Sequence, residues 1–575
     1  MIHPLRHAVV LGSVVLVASG LLWRALDLQV LSNDFLQNQG DARFLRVIDL
    51  AANRGTITDR NGEPLAISTP VDSVWANPGQ LSINSRQWQQ MAALLQMKVP
   101  ELKGQLEQRQ GREFVYLKRH INPDVAQQVM ALGISGISLQ REYRRYYPAG
   151  EVAAHVVGFT DIDDAGQEGI ELAYENWLKG RPGSKRVIKD RIGHMVEDVE
   201  SIRVPEAGKD LRLSIDRRLQ YLAYRELKAA VRQNKARSGS VVLLDVATGE
   251  VLAAVNGPSY NPNNRRTLRQ GVTRNRAVTD VFEPGSTIKP FTVAAALEAG
   301  SIQPRTIIDT GPGVFKVGSK SVRDVRDYGA IDIATVIKKS SNVGASKIAL
   351  TVPPERMWEL FNQVGFGSGT GSGFPGEASG LLTNFQGWND VERATLSYGY
   401  GLSVTTLQLA RAYAMLANKG VLRPISFVAG ESVDSTTTQV MSPAHAQDVM
   451  AMLETVTTEG GTGLLAQVPG YRIAGKTGTV QKYAVGGYSD DSYVSLFAGV
   501  APASNPRLAM VVMINEPGND EYYGGRIAAP VFSRVMAGAL RMMGIAPDAA
   551  PPTLQAARLS GHTKKLIGGR NDSGA

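Results

Sequence analysis

The chain has 575 residues, 43% of them hydrophobic and 20% charged, which is the balance of a globular protein with room for several domains. It contains no cysteine, which excludes disulfides, thiolate catalysis and zinc–thiolate sites. Its formal net charge of +9 is spread along the chain without a basic stripe, so the sequence argues against a nucleic-acid partner and agrees with an anionic membrane or cell-wall polymer.

Residues 8–30 are predicted to form a transmembrane anchor in contact with membrane lipid, with residues 1–7 in the cytoplasm. The segment from Ala8 to Trp23 carries no charge, and further apolar residues extend its apolar face. Arg6 precedes the segment and favours an N-terminus on the inner side. A cleaved signal peptide, cut near Ala18-Ser19-Gly20, is the alternative, but the apolar run continues past that point. Both interpretations place the rest of the chain outside the cytoplasm.

Residues 31–205 are predicted to form a non-catalytic pedestal module. The segment Arg54–Ala66 contains an Asp-Arg-Asn-Gly turn between two strands, and Gln87–Gln110 has the apolar spacing of one or two helices. The tyrosines and arginines of this module could stack on nucleic acid, but we favour a packed scaffold with salt bridges. The densest patches are Tyr143–Pro148 and Gly169–Tyr174. His155, beside two valines, is predicted to be a core residue rather than a ligand.

Residues 206–548 are predicted to form an α+β domain. Asp216 is expected to cap a helix, and a β-hairpin is expected across residues 240–255. Two more apolar strands, Tyr493–Val500 and Leu508–Ile514, lie near the far end. Strands from both ends of the domain, with helices between them, predict an antiparallel sheet flanked by helices.

Two further segments are predicted to lack regular structure. Gly365–Gly380 contains a G-x-G-x-x-G match, but no apolar strand leads into it and no helix follows, so we interpret it as a loop rather than a nucleotide site. Residues 549–575 contain two adjacent prolines and a basic, glycine-containing end, which predicts a disordered tail.

The candidate chemistry centres on Ser286 and Lys289. A Pro-Gly turn precedes Ser286, and the apolar run Phe291–Leu297 predicts a buried helix that starts near the serine. Residues three apart share a helix face, so the hydroxyl lies beside the amine as a nucleophile lies beside its base. Free N–H groups at a helix start also suit a developing oxyanion. A histidine base has little support, because His445 is the sole histidine between residues 211 and 550.

A bare S-x-x-K pattern occurs by chance in a chain of this length, and two later elements make it specific. These elements are Ser340-Ser341-Asn342 and Lys476-Thr477-Gly478-Thr479. Penicillin-binding proteins and class A β-lactamases carry S-x-x-K, S-D-N and K-T-G in this order. A serine here takes the place of the aspartate in the second element.

The whole sequence closely resembles the class B penicillin-binding proteins, the monofunctional peptidoglycan transpeptidases. The resemblance covers a short anchor, a pedestal with the R-G-x-x-x-D-R-x-G-x-x-L-A pattern, and a domain with all three elements. Val500–Ser504 and Tyr522–Phe532 resemble the division-specific penicillin-binding protein 3 branch of Gram-negative bacteria. The resemblance implies a dimerisation-type pedestal, a serine β-lactamase-like catalytic domain, and no cofactor or metal. It also implies a single-pass inner-membrane protein whose catalytic domain lies in the periplasm at the division septum.

The resemblance further implies a mechanism and partners. Ser286 would attack the penultimate D-alanine of a peptidoglycan stem peptide, Lys289 would take its proton, and Ser340 would relay a proton to the leaving D-alanine. Asn342 and Lys476 would complete the catalytic set, and the substrate-binding residues would be Thr477, Gly478 and Thr479. The backbone N–H groups of Ser286 and Thr479 would form the oxyanion hole. An amine of a second stem peptide would accept the acyl group, β-lactams would trap the serine, and divisome proteins, including a glycan-polymerising membrane partner, would bind.

Other functions remain open at this stage. A β-lactamase would need a deacylating base, and no Glu-x-x-x-Asn element of the class A type lies between Ser340 and Lys476. A D,D-carboxypeptidase would use the same elements with water as acceptor, and only the pedestal argues against it. A β-lactam sensor would need more membrane spans than the one predicted, and a division scaffold could coexist with catalysis.

Overall fold

The computed structural model describes residues 4–31, 45–189, 195–266, 271–430, 436–484 and 487–549. Apart from Ala549, the predicted tail lies outside the described residues. The first element is the α-helix Pro4–Leu26, followed by a π-helical turn at Asp27–Leu31. Residues His7–Gln29 have a mean hydropathy of 2.0 and are long and apolar enough to cross a membrane. The helix agrees with the predicted anchor and fits a single-pass membrane protein.

Two β-sheets form the framework of the pedestal. One sheet has three strands, in the order Leu45–Leu50, Gly183–Lys189 and Met195–Arg203. The other sheet is built on the long strand Pro64–Ala76. Its other strands are Ile57–Thr58, Val115–Ile121, Ile137–Tyr146 and Leu211–Arg212. Antiparallel pairing of Ile57–Thr58 with Pro64–Ala76 confirms the predicted strand–turn–strand segment.

The pedestal helices pack on this second sheet. The predicted helical segment forms two helices, Ser85–Leu94 and Val99–Glu107. The first begins at a capping box, in which the side chains of Asn84 and Gln87 each accept a hydrogen bond from the other's backbone N–H. Buried residues of both helices belong to the same hydrophobic cluster as strand residue Val74. The other helices and short strands are Pro123–Met130, Ala154–Val157, Gly169–Ala173, Glu175–Leu178, Phe159–Thr160 and Gly166–Glu168.

A buried ion-pair network joins three patches that are far apart in the pedestal sequence. Arg54 Nε lies 2.6 Å from Glu171 Oε2, and Arg54 Nη1 lies 2.7 Å from Glu175 Oε2. Arg145 Nε lies 2.7 Å from the second oxygen of Glu171. Arg54 is only 2% exposed, and Glu171 is fully buried. Arg54 and Arg145 therefore hold the packed interior together, and the interpretation as a salt-bridged scaffold is confirmed.

Arg54→Ala is expected to lower the free energy of unfolding of the pedestal by about 3–5 kcal/mol, because the buried Glu171 loses one of its two guanidinium partners and its backbone oxygen also loses its donor. Chemical denaturation of the detergent-solubilised chain measures the change. Arg181→Ala is the matched control, since the side chains of Arg181 and Glu206, 81% and 67% exposed, pair at 3.6 Å on the pedestal surface. We expect the control to cost less than about 1 kcal/mol. Equal losses in the two variants would contradict a special role for burial.

The half of the pedestal nearest the second domain shares a hydrophobic core with it. Ile57 and Val156 belong to the same buried cluster as Leu244 and Phe291. His155 is also buried at this contact, and its Nε2 donates a hydrogen bond to the backbone oxygen of Val272 at 2.9 Å. Burial lowers the pKa of His155 to about 4, so the ring is neutral near pH 7. The prediction of a core histidine is confirmed.

A five-stranded antiparallel sheet forms the centre of the second domain and confirms the predicted α+β architecture. Its strands, in spatial order, are Val251–Gly257, Ser238–Asp245, Leu508–Asn515, Gly487–Ala501 and Ala474–Ala484. The predicted hairpin supplies the first two strands. The edge strand Ala474–Ala484 carries the K-T-G-T element.

Alternating side chains of the central sheet fill two different cores. Val241 belongs to one core with the helices Arg217–Gln233 and Gly524–Met542. Its neighbour Val242 belongs to the other core, which contains the helix Lys289–Glu298. This is the period of two expected for a strand buried on both faces. Asp216 caps the first of these helices as predicted, since its side chain accepts a hydrogen bond from Arg218 N at 2.9 Å.

The remaining elements surround the second core. The helices are Arg276–Thr279, Ile333–Lys339, Asn342–Thr351, Pro354–Val364, Asp390–Leu396, Thr406–Ala417 and Pro443–Thr455. Paired short strands are Ile307–Asp309 with Ala330–Asp332, Val314–Val317 with Lys320–Arg323, and Val421–Leu422 with Thr438–Gln439. Gly365–Gly380 has no helix or strand, as predicted. The Glu377 carboxylate organises this loop by accepting hydrogen bonds from the backbone and hydroxyl groups of Thr370 and Ser372.

Candidate active site

Ser286 lies in a 3-10 turn, Gly285–Ile288, that runs directly into the helix Lys289–Glu298. This arrangement confirms the predicted buried helix. Gly285 has a φ of +53°, and a Cβ there would lie 2.4 Å from a side-chain carbon of Val480, so the turn needs glycine. The turn holds the half-buried Ser286 at the head of the helix.

A cavity of about 470 Å³ opens in front of Ser286. Four other predicted residues line it, namely Ser340, Asn342, Thr477 and Thr479. Sequence reasoning missed several others, among them Val325, Lys339, Thr462, Tyr523 and Arg526. Among the described residues that line this cavity there is no aspartate or glutamate. A larger cleft of about 760 Å³ between the pedestal and the second domain contains none of the three motifs, so cavity size alone does not identify the site.

The second motif, Ser340-Ser341-Asn342, is called the S-x-N element. It holds the Lys289 amine, which is fully buried behind the cavity. Lys289 Nζ lies 2.5 Å from the backbone oxygen of Ser340, 2.7 Å from Asn342 Oδ1 and 3.2 Å from Ser340 Oγ. Burial, followed by the nearby positive charge of Lys476, lowers the pKa of Lys289 well below its usual 10.5. Within the described residues, no hydrogen bond joins this amine directly to Ser286 Oγ. The hydroxyl of Ser340 lies beside the amine and also lines the cavity.

The backbone conformation around the S-x-N element turns the side chains of Ser340 and Asn342 toward the cavity. Ser340 adopts a left-handed conformation, with φ of +59°, at the end of the helix Ile333–Lys339, and the next helix starts at Asn342. The carboxylate of Asp324, a residue that no sequence motif marks, lies 2.5 Å from Ser341 Oγ. The single signal in the sequence is the position of Asp324 directly after a short strand.

The K-T-G-T element lies near the start of its edge strand, as predicted. Strand alternation places Thr477 and Thr479 at the cavity, whereas Lys476 is fully buried. Burial lowers the pKa of Lys476 to about 7. Lys476 Nζ donates a hydrogen bond to the backbone oxygen of Thr477 at 3.1 Å. The site therefore contains two buried amines whose pKa values both lie below that of an exposed lysine.

Gly524, at the start of the last helix, lets this helix touch the K-T-G-T strand. A Cβ on Gly524 would lie 2.2 Å from the backbone oxygen of Gly478, so this contact requires glycine. Gly524 N donates a hydrogen bond to Thr479 Oγ1 at 3.0 Å, and Thr477 Oγ1 donates to Thr462 Oγ1 at 2.8 Å. These contacts orient both threonine hydroxyls before any substrate binds.

Comparison with known proteins agrees with this arrangement. Residues 239–537 match the penicillin-binding protein transpeptidase domain family, and residues 49–213 match the penicillin-binding protein dimerisation domain family. The peptidoglycan D,D-transpeptidase FtsI of Escherichia coli K12 is 45% identical over 95% of this chain and 93% of its own length. The peptidoglycan D,D-transpeptidase FtsI of Buchnera aphidicola subsp. Schizaphis graminum is 38% identical over 91% of this chain and 93% of its own length.

Solved structures extend the comparison to three dimensions. The transpeptidase domain of penicillin-binding protein 3 from Burkholderia pseudomallei is 42% identical, with a TM-score of 0.55, and covers 59% of this chain and 98% of its own. A peptidoglycan synthetase from Bifidobacterium adolescentis has the same fold over 88% of this chain and 98% of its own, with a TM-score of 0.69 at 24% identity. The chain therefore belongs to the class B penicillin-binding proteins, the monofunctional peptidoglycan transpeptidases.

Proposed function

We propose that this enzyme cross-links peptidoglycan stem peptides at the division septum through an acyl-enzyme on Ser286. Ser286 Oγ attacks the carbonyl carbon of the penultimate D-alanine, the peptide C–N bond breaks, and the terminal D-alanine leaves with a proton. An amine of a neighbouring stem peptide then attacks the ester. The new amide is the cross-link, and the serine hydroxyl is regenerated.

The set of hydrogen-bond partners around Lys289 carries this proposal. A neutral amine has two N–H donors and one lone pair. The Ser340 backbone oxygen and Asn342 Oδ1 are the shortest partners, and both are acceptors, so they use both N–H groups. The third partner is the Ser340 hydroxyl, which accepts the third N–H of a protonated amine and can donate to the lone pair of a neutral one. These partners therefore accommodate the amine before and after it takes a proton, and the hydroxyl connects it to the cavity.

The charges around the cavity favour a substrate that ends in a carboxylate. Thr479 Oγ1 accepts from Gly524 N and keeps its own hydrogen to donate, and the protonated fraction of Lys476 adds positive potential behind the cavity. Lys339 and Arg526 at the cavity are also cationic. The terminal carboxylate of a D-Ala-D-Ala peptide fits this environment, as does the carboxylate of a β-lactam that mimics the acyl donor.

The absence of an acidic residue among the described cavity-lining residues favours transfer over hydrolysis. A β-lactamase must activate water to release the acyl group, and a carboxylate commonly provides that base. A long-lived acyl-enzyme, resolved by an incoming amine, suits this cavity better. β-Lactams then inhibit the enzyme because their acyl group blocks Ser286.

The apolar N-terminal helix supports the proposed location. One span is consistent with this helix, and with the predicted cytoplasmic N-terminus it would put the pedestal and the catalytic domain in the periplasm, where peptidoglycan is assembled. Membership of this family also favours divisome proteins, including a glycan-polymerising membrane protein, as partners. The pedestal is the module that such partners would contact.

Intact-protein mass spectrometry of the detergent-solubilised chain with benzylpenicillin tests the proposed function. We expect one adduct of the whole drug, on the peptide that contains Ser286, and we expect it to persist for hours. An adduct that hydrolyses within seconds would identify a β-lactamase, and the lack of any adduct would leave the scaffold function. A D-Ala-D-Ala donor peptide incubated with an amine acceptor separates the last alternative, because a carboxypeptidase yields only the hydrolysed peptide.

A further inference from the structure

The Asp324 carboxylate accepts hydrogen bonds from three groups at the start of the helix Asn342–Thr351. Asp324 Oδ1 accepts from Asn342 N at 2.5 Å and from Val343 N at 3.0 Å. Asp324 Oδ2 accepts from Ser341 Oγ at 2.5 Å. Asp324 follows the strand Lys320–Arg323 directly, so a separate hairpin anchors the S-x-N element.

These bonds continue to the catalytic amine. Ser341 Oγ accepts a hydrogen bond from Gly344 N at 2.8 Å, which completes the cap of the helix. Asn342 Nδ2 donates to the backbone oxygen of Arg323 at 3.2 Å, and this bond sets the orientation of the amide. Asn342 Oδ1 is thereby turned toward Lys289 Nζ, 2.7 Å away. A displacement of Asp324 would move both Asn342 and the amine that it holds.

We propose that Asp324 is a positioning residue for the acylation step. Its carboxylate fixes Asn342 and, through it, Lys289, and its negative charge acts on the Lys289 amine. The proposal rests on the proposed function, because it assigns Lys289 as the base for Ser286. It explains why the middle residue of the S-x-N element is a serine here. The Ser341 hydroxyl both donates to Asp324 and accepts from the helix backbone.

The negative charge of Asp324 acts on Lys289 and is not neutralised by an ion pair with another described residue. No lysine or arginine within the described ranges forms a salt bridge with this carboxylate. The charged groups that act on Lys289 are Lys476, which lowers its pKa together with burial, and Asp324, which raises it. Loss of the negative charge lowers the pKa of Lys289 further, so the neutral amine persists to lower pH. A simple loss of function would lower the acylation rate at every pH, whereas this change would extend acylation to lower pH.

Asp324→Asn and Asp324→Ala separate charge from position. An asparagine keeps the acceptor for Asn342 N and Val343 N and can donate to Ser341 Oγ, so the geometry survives while the charge is lost. Alanine removes the acceptor as well. The experiment measures the second-order rate constant for acylation of the full chain by a fluorescent penicillin between pH 5 and 9, with the melting temperature of each variant. Lys476 titrates in the same range and affects the profiles of all variants alike.

For Asp324→Asn we expect the acid limb of the pH profile to move to lower pH by about 0.5 unit or more. For Asp324→Ala we expect acylation at pH 7 to fall by about 100-fold, as a misplaced catalytic group would cause. The matched control is Asp332→Asn, since Asp332 caps the neighbouring helix by accepting from Thr335 N at 2.8 Å and does not contact the S-x-N element. We expect its pH profile to coincide with that of the unmodified protein.

An Asp324→Asn profile that coincides with that of the unmodified protein overturns the proposal, as does an Asp324→Ala variant that acylates at the normal rate. If Asp324→Ala fails to fold, the asparagine variant alone decides. The unmodified protein must first form its adduct on Ser286. Failure at that stage refutes the proposed function, whereas failure confined to the variants refutes only the role of Asp324.

Discussion

Ser286→Ala is expected to abolish covalent labelling by benzylpenicillin and to leave the fold unchanged. The substitution removes the sole atom that can form the ester, and no neighbouring nucleophile replaces it, since Ser340 lies on a different element beside the Lys289 amine. Ser286 is half-buried, and its hydroxyl makes no hydrogen bond within the described part of the chain. Loss of this hydroxyl should therefore change the melting temperature by no more than about 2 °C. Gel fluorescence and intact mass measure the labelling.

Ser340→Ala is the matched control for this result. It removes a hydroxyl from the same cavity but keeps the nucleophile, so labelling should continue at a reduced rate and the adduct should still map to Ser286. Labelling of Ser286→Ala at the normal rate would refute the nucleophile assignment. Complete loss of labelling in both variants, with both folded, would show that the Ser340 hydroxyl is as necessary as the nucleophile.

Lys289→Met is expected to reduce the acylation rate constant by about 10²–10⁴-fold, the usual contribution of a general base. Methionine approximates the length of the lysine side chain in this fully buried position but carries no amine. The free energy of unfolding should change little, because two effects oppose each other. Removal of the buried amine relieves its desolvation cost, whereas the Ser340 backbone oxygen and Asn342 Oδ1 lose their donor. Stopped-flow acylation with a chromogenic β-lactam measures the rate.

Lys339→Met provides the control, since Lys339 also lines the cavity but donates to the backbone oxygen of Gly460 at 2.7 Å. We expect its acylation rate to stay within about tenfold of normal, because only a peripheral charge is lost. Equal reductions for both lysines would assign the effect to the charge of the cavity rather than to a base at Lys289.

Much of the fold is predictable from local patterns. The hairpin at residues 240–255 follows from two apolar runs around a turn, and the helix after Asp216 follows from a cap and a period of three to four residues. The division between pedestal and catalytic domain is harder to predict. Strand Leu211–Arg212 falls within the predicted second domain, residues 206–548, yet it pairs with Ile57–Thr58 of the pedestal. Long-range pairing of this kind leaves no periodic signal in either segment.

The three motifs predict the reactive groups from sequence alone, because chemistry such as a nucleophilic hydroxyl or a titratable amine belongs to the residue type. The S-x-x-K spacing also brings two of these groups within one helical turn, which is a local effect. The sequence therefore predicts Ser286 as the nucleophile and Lys289 as its base, and it places the K-T-G-T element on a strand that the structure confirms.

The tertiary structure alone decides how far the pKa values of Lys289 and Lys476 are shifted and which residues hold the Lys289 amine in place. Lys289 meets Ser340 and Asn342 across 51 and 53 residues of sequence, and its low pKa arises from complete burial beside Lys476. Asp324 acts through a hairpin that carries no motif. Desolvation and charge–charge interactions depend on distance in space, so they exist only after the chain has folded.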